Sequence, residues 1–237
     1  MAEAAAAAGM DAKVPTCPDW RVRDLLQHTG KVHRFAALVV SEQLPQRPRG
    51  EQYAAQIWNW PDSDDELLDW FREGHARLID VLKNADPATQ CWTFHPAPSP
   101  VEFWARRQAH ETTIHRIDAE TANRAPTPVS AGLAADGIDE ILRNFFTSRN
   151  PVVTAEPPRT LAVRAVDTGD AWLATIGPEG VSTVRGYGTA DCTVTGNASD
   201  LYALLWNRRD PHGLTVAGDV SVLGLWRSQA HVVWPWE

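Results

Sequence analysis

Ala109-His110-Glu111-Thr112-Thr113-Ile114-His115-Arg116 is the stretch on which the reading of this chain turns, and it lies inside a run of helical apolar spacing from Val101 to Ala122. On a helix advancing about 100° per residue, positions four apart differ by roughly 40° and positions five apart by roughly 140°. Glu111 and His115 therefore share a face, whereas His110 and His115 do not. The His-Glu-x-x-His pattern of zinc proteases is excluded, because its second histidine would stand where Ile114 is. The same rotation lines up Trp104, Gln108, Glu111, His115 and Asp118 in one stripe. If that stripe faces inward, its polar groups need partners, and a metal ion supplies them.

Working outward, residues 20 to 41 carry Leu25, Val32, Phe35 and Val39 at helical spacing, with His28 in line among them. His33 lies roughly 140° away from His28 and cannot point at the same place. Two imidazole nitrogens and one carboxylate oxygen from two helices make a three-ligand site with an open position, the pattern of a catalytic metal. The bland alternatives are a hydrogen-bonded core histidine at His28 and a solvated i,i+4 pair at Glu111 and His115. Gln108 and Asp118 are expected to orient an imidazole, although Asp118 also has Arg116 and Arg124 near it in sequence. His33 and His110 are expected to line the pocket as acid-base groups rather than as ligands. Trp104 is expected to wall the metal site.

Composition narrows the function classes. Among 237 residues, 22 are basic and 30 acidic, a formal charge of -8, and no basic cluster offsets it, so nucleic acid is excluded as the default partner. Cys17, Cys91 and Cys192 form no C-x-x-C pair, which fits a reducing cytoplasm better than a disulfide framework. No run approaches the roughly 18 apolar residues of a membrane span. The Ala-rich opening lacks the basic start and bulky apolar stretch of a secretion signal and reads as a frayed or helical leader.

The patterning changes near residue 150. Before it, helical spacing over 20 to 41, 62 to 85, 101 to 122 and 131 to 148, separated by prolines, predicts a four-helix bundle within residues 1–150, with Asp62 or Ser63 capping the second helix. After it, Leu161 to Val166 and Ala171 to Ile176 alternate with period two across the turn Asp167-Thr168-Gly169-Asp170. Strands at 181 to 187, 192 to 195 and 214 to 217, and helices at 199 to 208 and 220 to 233, complete an α+β domain over residues 151–237.

Three segments resemble a known family. Val14-Pro15-Thr16-Cys17-Pro18-Asp19-Trp20 through His28, with Gly30-Lys31-Val32-His33-Arg34, is similar to the opening signature of the mycothiol-dependent maleylpyruvate isomerase family. Ala105-Arg106-Arg107-Gln108-Ala109-His110-Glu111-Thr112 to Asp118-Ala119-Glu120 resembles its second signature, and Leu204-Leu205-Trp206-Asn207-Arg208-Arg209 with Val216-Ala217-Gly218-Asp219 resembles its C-terminal domain. The resemblance implies a DinB-like four-helix bundle holding a divalent metal, usually zinc, joined to a smaller α+β domain that helps bind the thiol. The family's ligands fall on His28, Glu111 and His115, and its arginine for thiol binding or catalysis falls on Arg208, with Arg209 adjacent. The implied chemistry is mycothiol acting as a thiolate on a small electrophile, as isomerase or S-transferase, in a monomer or homodimer. A metal-dependent hydrolase and a non-catalytic metal-binding bundle are the alternatives. One departure stands out: the family usually has a full helix before this opening signature, and here a mostly alanine segment precedes Val14.

Overall fold

The computed structural model describes residues 1–147 and 151–231. They fall into two compact units, Met1–Thr127 and Pro128–Glu237. The first contains α1 (Ala2–Ala8), a small hairpin of β1 (Lys13–Val14) and β2 (Cys17–Arg21), then α2 (Val22–Ser41), α3 (Glu51–Ile57), α4 (Asp64–Asn84) and α5 (Pro100–Thr121).

Each long helix starts where its sequence supplies partners for the free N–H groups. The Arg21 backbone N–H donates to Asp24 Oδ2 at 2.8 Å at the head of α2. Ser63 Oγ accepts from the Glu66 N–H at the head of α4, followed by Asp64, Asp65 and Glu66, whose charges suit the positive end of a helix. Ser99 caps α5 in the same way, with Pro100 at its first position.

The bundle consists of α1, α2, α4 and α5, with α2 packed against α4 and α5 and α1 touching all three. Its fourth helix is thus the Ala-rich leader. Ala4 and Ala5 are buried among Val22, Leu25, Leu26, Leu67 and Phe71; alanine lets so short a helix lie close to its neighbours. The α2–α4 contact is tight where Gly30 and Gly74 face Trp70 and Arg34, with no room for a Cβ at either glycine. The Arg34 guanidinium lies 3.7 Å above the Trp70 ring, and its Nη2 donates to the Trp70 carbonyl at 2.6 Å.

The helical pattern over 131 to 148 is a correction to the expected bundle. It becomes α6 (Ala131–Glu140) running into a π-helical turn, Ile141–Phe145, and both belong to the second unit; Ser148 lies outside the described residues. The boundary between units falls at Thr127 and Pro128, ahead of this helix and not after it. Periodicity shows that a helix has an apolar face but not what covers it. Here Phe145 packs on Trp206 and Phe146 on Trp226, aromatic partners that come later in the chain. The short α3, between Pro48 and Trp58, has no counterpart in the sequence reading.

The second unit continues with β3 (Arg159–Ala165), β4 (Ala171–Gly177), β5 (Gly180–Arg185), β6 (Cys192–Gly196), α7 (Ala198–Leu205), β7 (Thr215–Gly218) and α8 (Val220–Gln229). The sheet order is β5-β4-β3-β6-β7. β3 and β4 form the expected hairpin, Val163 opposite Trp172, while β6 lies parallel to β3 with Val194 beside Val163. The hairpin turn needs Gly169, whose φ is 75°. The end of the predicted last helix, Val232 and Val233, lies outside the described residues. Among the described residues, no helix is long and apolar enough to cross a membrane.

Candidate metal centre

α2 and α5 run antiparallel: His28 meets Glu111 and His115 toward one end, and Phe35 meets Trp104 toward the other. The geometry brings together the three residues the helical wheel selects. His28 Nε2 and His115 Nε2 each lie 3.2 Å from Glu111 Oε1. One ligand atom from each of the three lies within 4.8 Å of the others, and all three residues are buried. A tetrahedral ion with bonds of about 2.0–2.1 Å holds neighbouring ligands about 3.3 Å apart. Both histidine–carboxylate separations are close to that edge, and all three ligand atoms lie within 4.8 Å of one another, so the donor set is compatible with a small divalent ion.

The electrostatics point the same way. Burial alone would push the Glu111 carboxyl up, but hydrogen bonds from His115 and His28 and the charges of His115 and Arg107 hold it well below the usual carboxylate range. Burial pushes His28 down despite its bond to Glu111. Burial also opposes charge on His115, yet the bonds to Asp118 and Glu111 prevail and raise it to about 9. A carboxylate facing two imidazoles in a closed space draws one positive charge toward itself, and a cation can take the place of that proton.

Asp118 fixes the outer side of the site. Its Oδ2 lies 2.9 Å from His115 Nδ1, so a neutral His115 carries its proton on Nδ1 and presents the Nε2 lone pair to Glu111 and His28. Thr16 Oγ1 donates to Asp118 Oδ1 at 2.6 Å, and Cys17 Sγ lies 3.6 Å from Oδ2. The Pro-Thr-Cys-Pro turn between β1 and β2 therefore clamps the carboxylate that orients His115. Arg116 and Arg124 pair with Glu120 instead.

The other anticipated residues separate. His33 is fully buried, with Nε2 2.9 Å from Thr112 Oγ1 and its ring against Phe71 and His75 of α4, while the charges of Glu111 and His115 still reach it. His110 is buried on α5. Gln108 is buried but, among the described residues, makes no hydrogen bond to an imidazole. Trp104 joins an aromatic cluster with Phe35, Trp92, Phe94 and Phe103, its Nε1 donating to the Trp92 carbonyl at 2.8 Å. The ring that packs against the histidines is Trp20, with centroids 4.8 Å from His28 and 6.0 Å from His115. Arg208 belongs to the second unit, just after α7, where its Nη1 donates to the Trp206 carbonyl at 2.9 Å. Arg209 pairs with Asp200.

Sequence reasoning missed Arg107 and Trp20. Arg107 Nη2 lies 3.3 Å from Glu111 Oε2, and both side chains are nearly sealed from solvent. It occupies the outer oxygen of the carboxylate and leaves Oε1 to the histidines. Its signal was available, an opposite charge four residues before Glu111 on the same stripe. Trp20 falls inside the segment 20 to 41 expected to be helical, but it sits on β2, and α2 begins only at Val22.

A family model described as the mycothiol maleylpyruvate isomerase N-terminal domain matches residues 1–120, and one described as the MDMPI C-terminal domain matches residues 132–225. No curated protein matches the chain. Among solved structures, the crystal structure of the mycothiol-dependent maleylpyruvate isomerase is similar, with a TM-score of 0.58 at 11% identity over 91% of this chain and 86% of that one. A histidine-to-alanine variant of that isomerase gives a TM-score of 0.59 at 11% identity over the same shares. At that identity the likeness is one of fold.

Proposed function

The chain belongs to the mycothiol maleylpyruvate isomerase family, and from that premise we propose that it is a metal-dependent, mycothiol-using enzyme of the cytoplasm that isomerises, or transfers the thiol to, a small electrophile. The observation that carries this reading is the convergence of His28, Glu111 and His115 in a buried space. These three residues would hold a divalent ion, zinc by the nature of the donor set. When bound, the ion supplies Lewis acidity that favours the thiolate form of a thiol reaching the open position.

The chain's own residues prepare that position. Asp118 keeps the His115 proton on Nδ1 and the lone pair on Nε2. Arg107 holds Glu111 Oε2 and so turns Oε1 inward. Trp20 covers the two imidazoles and keeps water from them. Arg208 is the second unit's proposed contribution to thiol binding or catalysis. Mycothiol as thiolate adds to the double bond of a cis-dienoic acid; rotation about the bond made single, followed by expulsion of the thiolate, gives the trans isomer. An S-transferase instead retains the new carbon–sulfur bond, and the enolate left by the addition takes up a proton from solvent.

The experiment is metal analysis joined to a thiol-dependence assay. One zinc per chain is expected in the purified protein and none in a His28→Ala variant. Maleylpyruvate isomerisation, or a mass-shifted adduct of another electrophile, is expected only with mycothiol present. Hydrolysis that proceeds without thiol would favour hydroxide chemistry instead, and absence of metal would sink the site.

A further inference from the structure

Gln108 lies one turn before Glu111 on the same stripe of α5 and is 3% exposed. Among the described residues, neither Oε1 nor Nε2 of its amide has a hydrogen-bond partner. Folded proteins pair nearly all such groups, and an apolar side chain of similar length would fill the same space without the cost of desolvating an amide. Its position says what the amide is for. Because Glu111 lies against His28 and Trp104 against Phe35, Gln108 sits between the triad and the aromatic cluster. Side chains three apart on a helix are about 5–6 Å apart at Cβ, so one small molecule can reach both the open position and this amide. Arg107, the cation on the preceding residue, is already engaged by Glu111.

We propose that Gln108 is a specificity-determining residue: its Nε2–H donates to a carbonyl or carboxylate oxygen of the ligand whose reacting end lies beside His28, Glu111 and His115. This rests on the functional reading above. A neutral donor recognises such an oxygen without adding a second buried charge beside Glu111. The oxygen belongs either to the electrophile or to the thiol, and separate kinetic constants distinguish the two.

The test compares Gln108→Leu and Gln108→Met with the wild-type, zinc-loaded chain. KM for one of the two co-substrates is expected to rise about ten- to a hundredfold, the loss of one hydrogen bond to a charged or strongly polar group, with kcat changed less than about threefold. A rise in the maleylpyruvate KM assigns the oxygen to the electrophile, and a rise in the mycothiol KM assigns it to the thiol. Zinc content should be unchanged, and the melting temperature of the ligand-free variants should hold or rise. Unchanged KM values in both variants would overturn the proposal, as would a common loss of zinc or melting temperature, which makes the amide structural. Failure of the wild type itself to show thiol-dependent turnover would instead overturn the functional reading, and this inference with it.

Discussion

Asp118 holds His115 and the β1–β2 turn at once: Oδ2 lies 2.9 Å from His115 Nδ1, and Oδ1 accepts from Thr16 Oγ1 at 2.6 Å. The relationship predicts how the site responds when the carboxylate is neutralised. Asp118→Asn keeps the shape but removes the charge that fixes the His115 tautomer, and zinc affinity is expected to fall about 10–100-fold. Competition against a chelator of known affinity measures it. An unchanged affinity would mean that Nε2 faces the ion without help from Asp118.

Arg107 and Glu111 form a buried pair one turn apart. Removing one member of an isolated buried pair costs about 3–5 kcal/mol, but Glu111 would keep its bonds to His115 and His28, so the loss here is expected to be smaller. Arg107→Met is expected to cost part of that in metal-free protein and clearly less when zinc neutralises the carboxylate. Urea unfolding with and without zinc reads the difference, and equal losses in both states would contradict the assigned role.

His33 gives the first unit a sensitivity to acid. Burial first, and the charge of neighbouring His75 second, lower its pKa to about 3 in the fold, against about 6.5 in an unfolded chain. Between those values the unfolded chain binds a proton that the folded one refuses. The stability involved is complete above pH 6.5 and is lost as pH falls toward 3, at up to roughly 1.4 kcal/mol per pH unit. His33→Gln, which retains a polar partner for Thr112 and cannot titrate, should flatten the stability profile between pH 6 and 4. An identical slope in both proteins would assign the acid sensitivity elsewhere.

Gly30 lies against the Trp70 ring, over which the Arg34 guanidinium also stacks. Gly30→Ala would gain up to about 1 kcal/mol of helix propensity, but the added methyl meets a pinned indole, and overpacking of this kind costs about 1–3 kcal/mol. A net loss in unfolding free energy is expected. Gly74→Ala should cost less, because the atom it meets is the end of the flexible Arg34 side chain. Equal losses at the two positions would refute this account of the contact.

The triad was legible in part because helix geometry is regular: a four-residue spacing in α5 and one histidine inside an apolar stripe in α2 nominated His28, Glu111 and His115, and the family resemblance implied the same three. The Asp118 contact to His115 followed from the same regularity, three residues on. The partners of Asp118 did not, since Thr16 and Cys17 lie on a hairpin whose approach to α5 depends on tertiary packing. The bundle's membership was misread for a related reason. Seven residues of mostly alanine carry little pattern, whereas the stronger stripe of Ala131–Glu140 draws attention without revealing that its partner is α7 of the second unit. Trp104 stands on the right stripe, but the aromatic residues of the loop that precedes α5, Trp92 and Phe94, claim it first.

His28 and Glu111 are 83 residues apart in sequence, with α3, α4 and their connections between them. An ion held by both would therefore be a cross-link as well as a reagent. Closing a loop of that length removes freedom chiefly from the unfolded chain, an effect that for a covalent bridge is worth about 4–5 kcal/mol. Two helices distant in the sequence would be tied by the same ion that would serve the proposed chemistry, so loss of metal would loosen the scaffold together with the site.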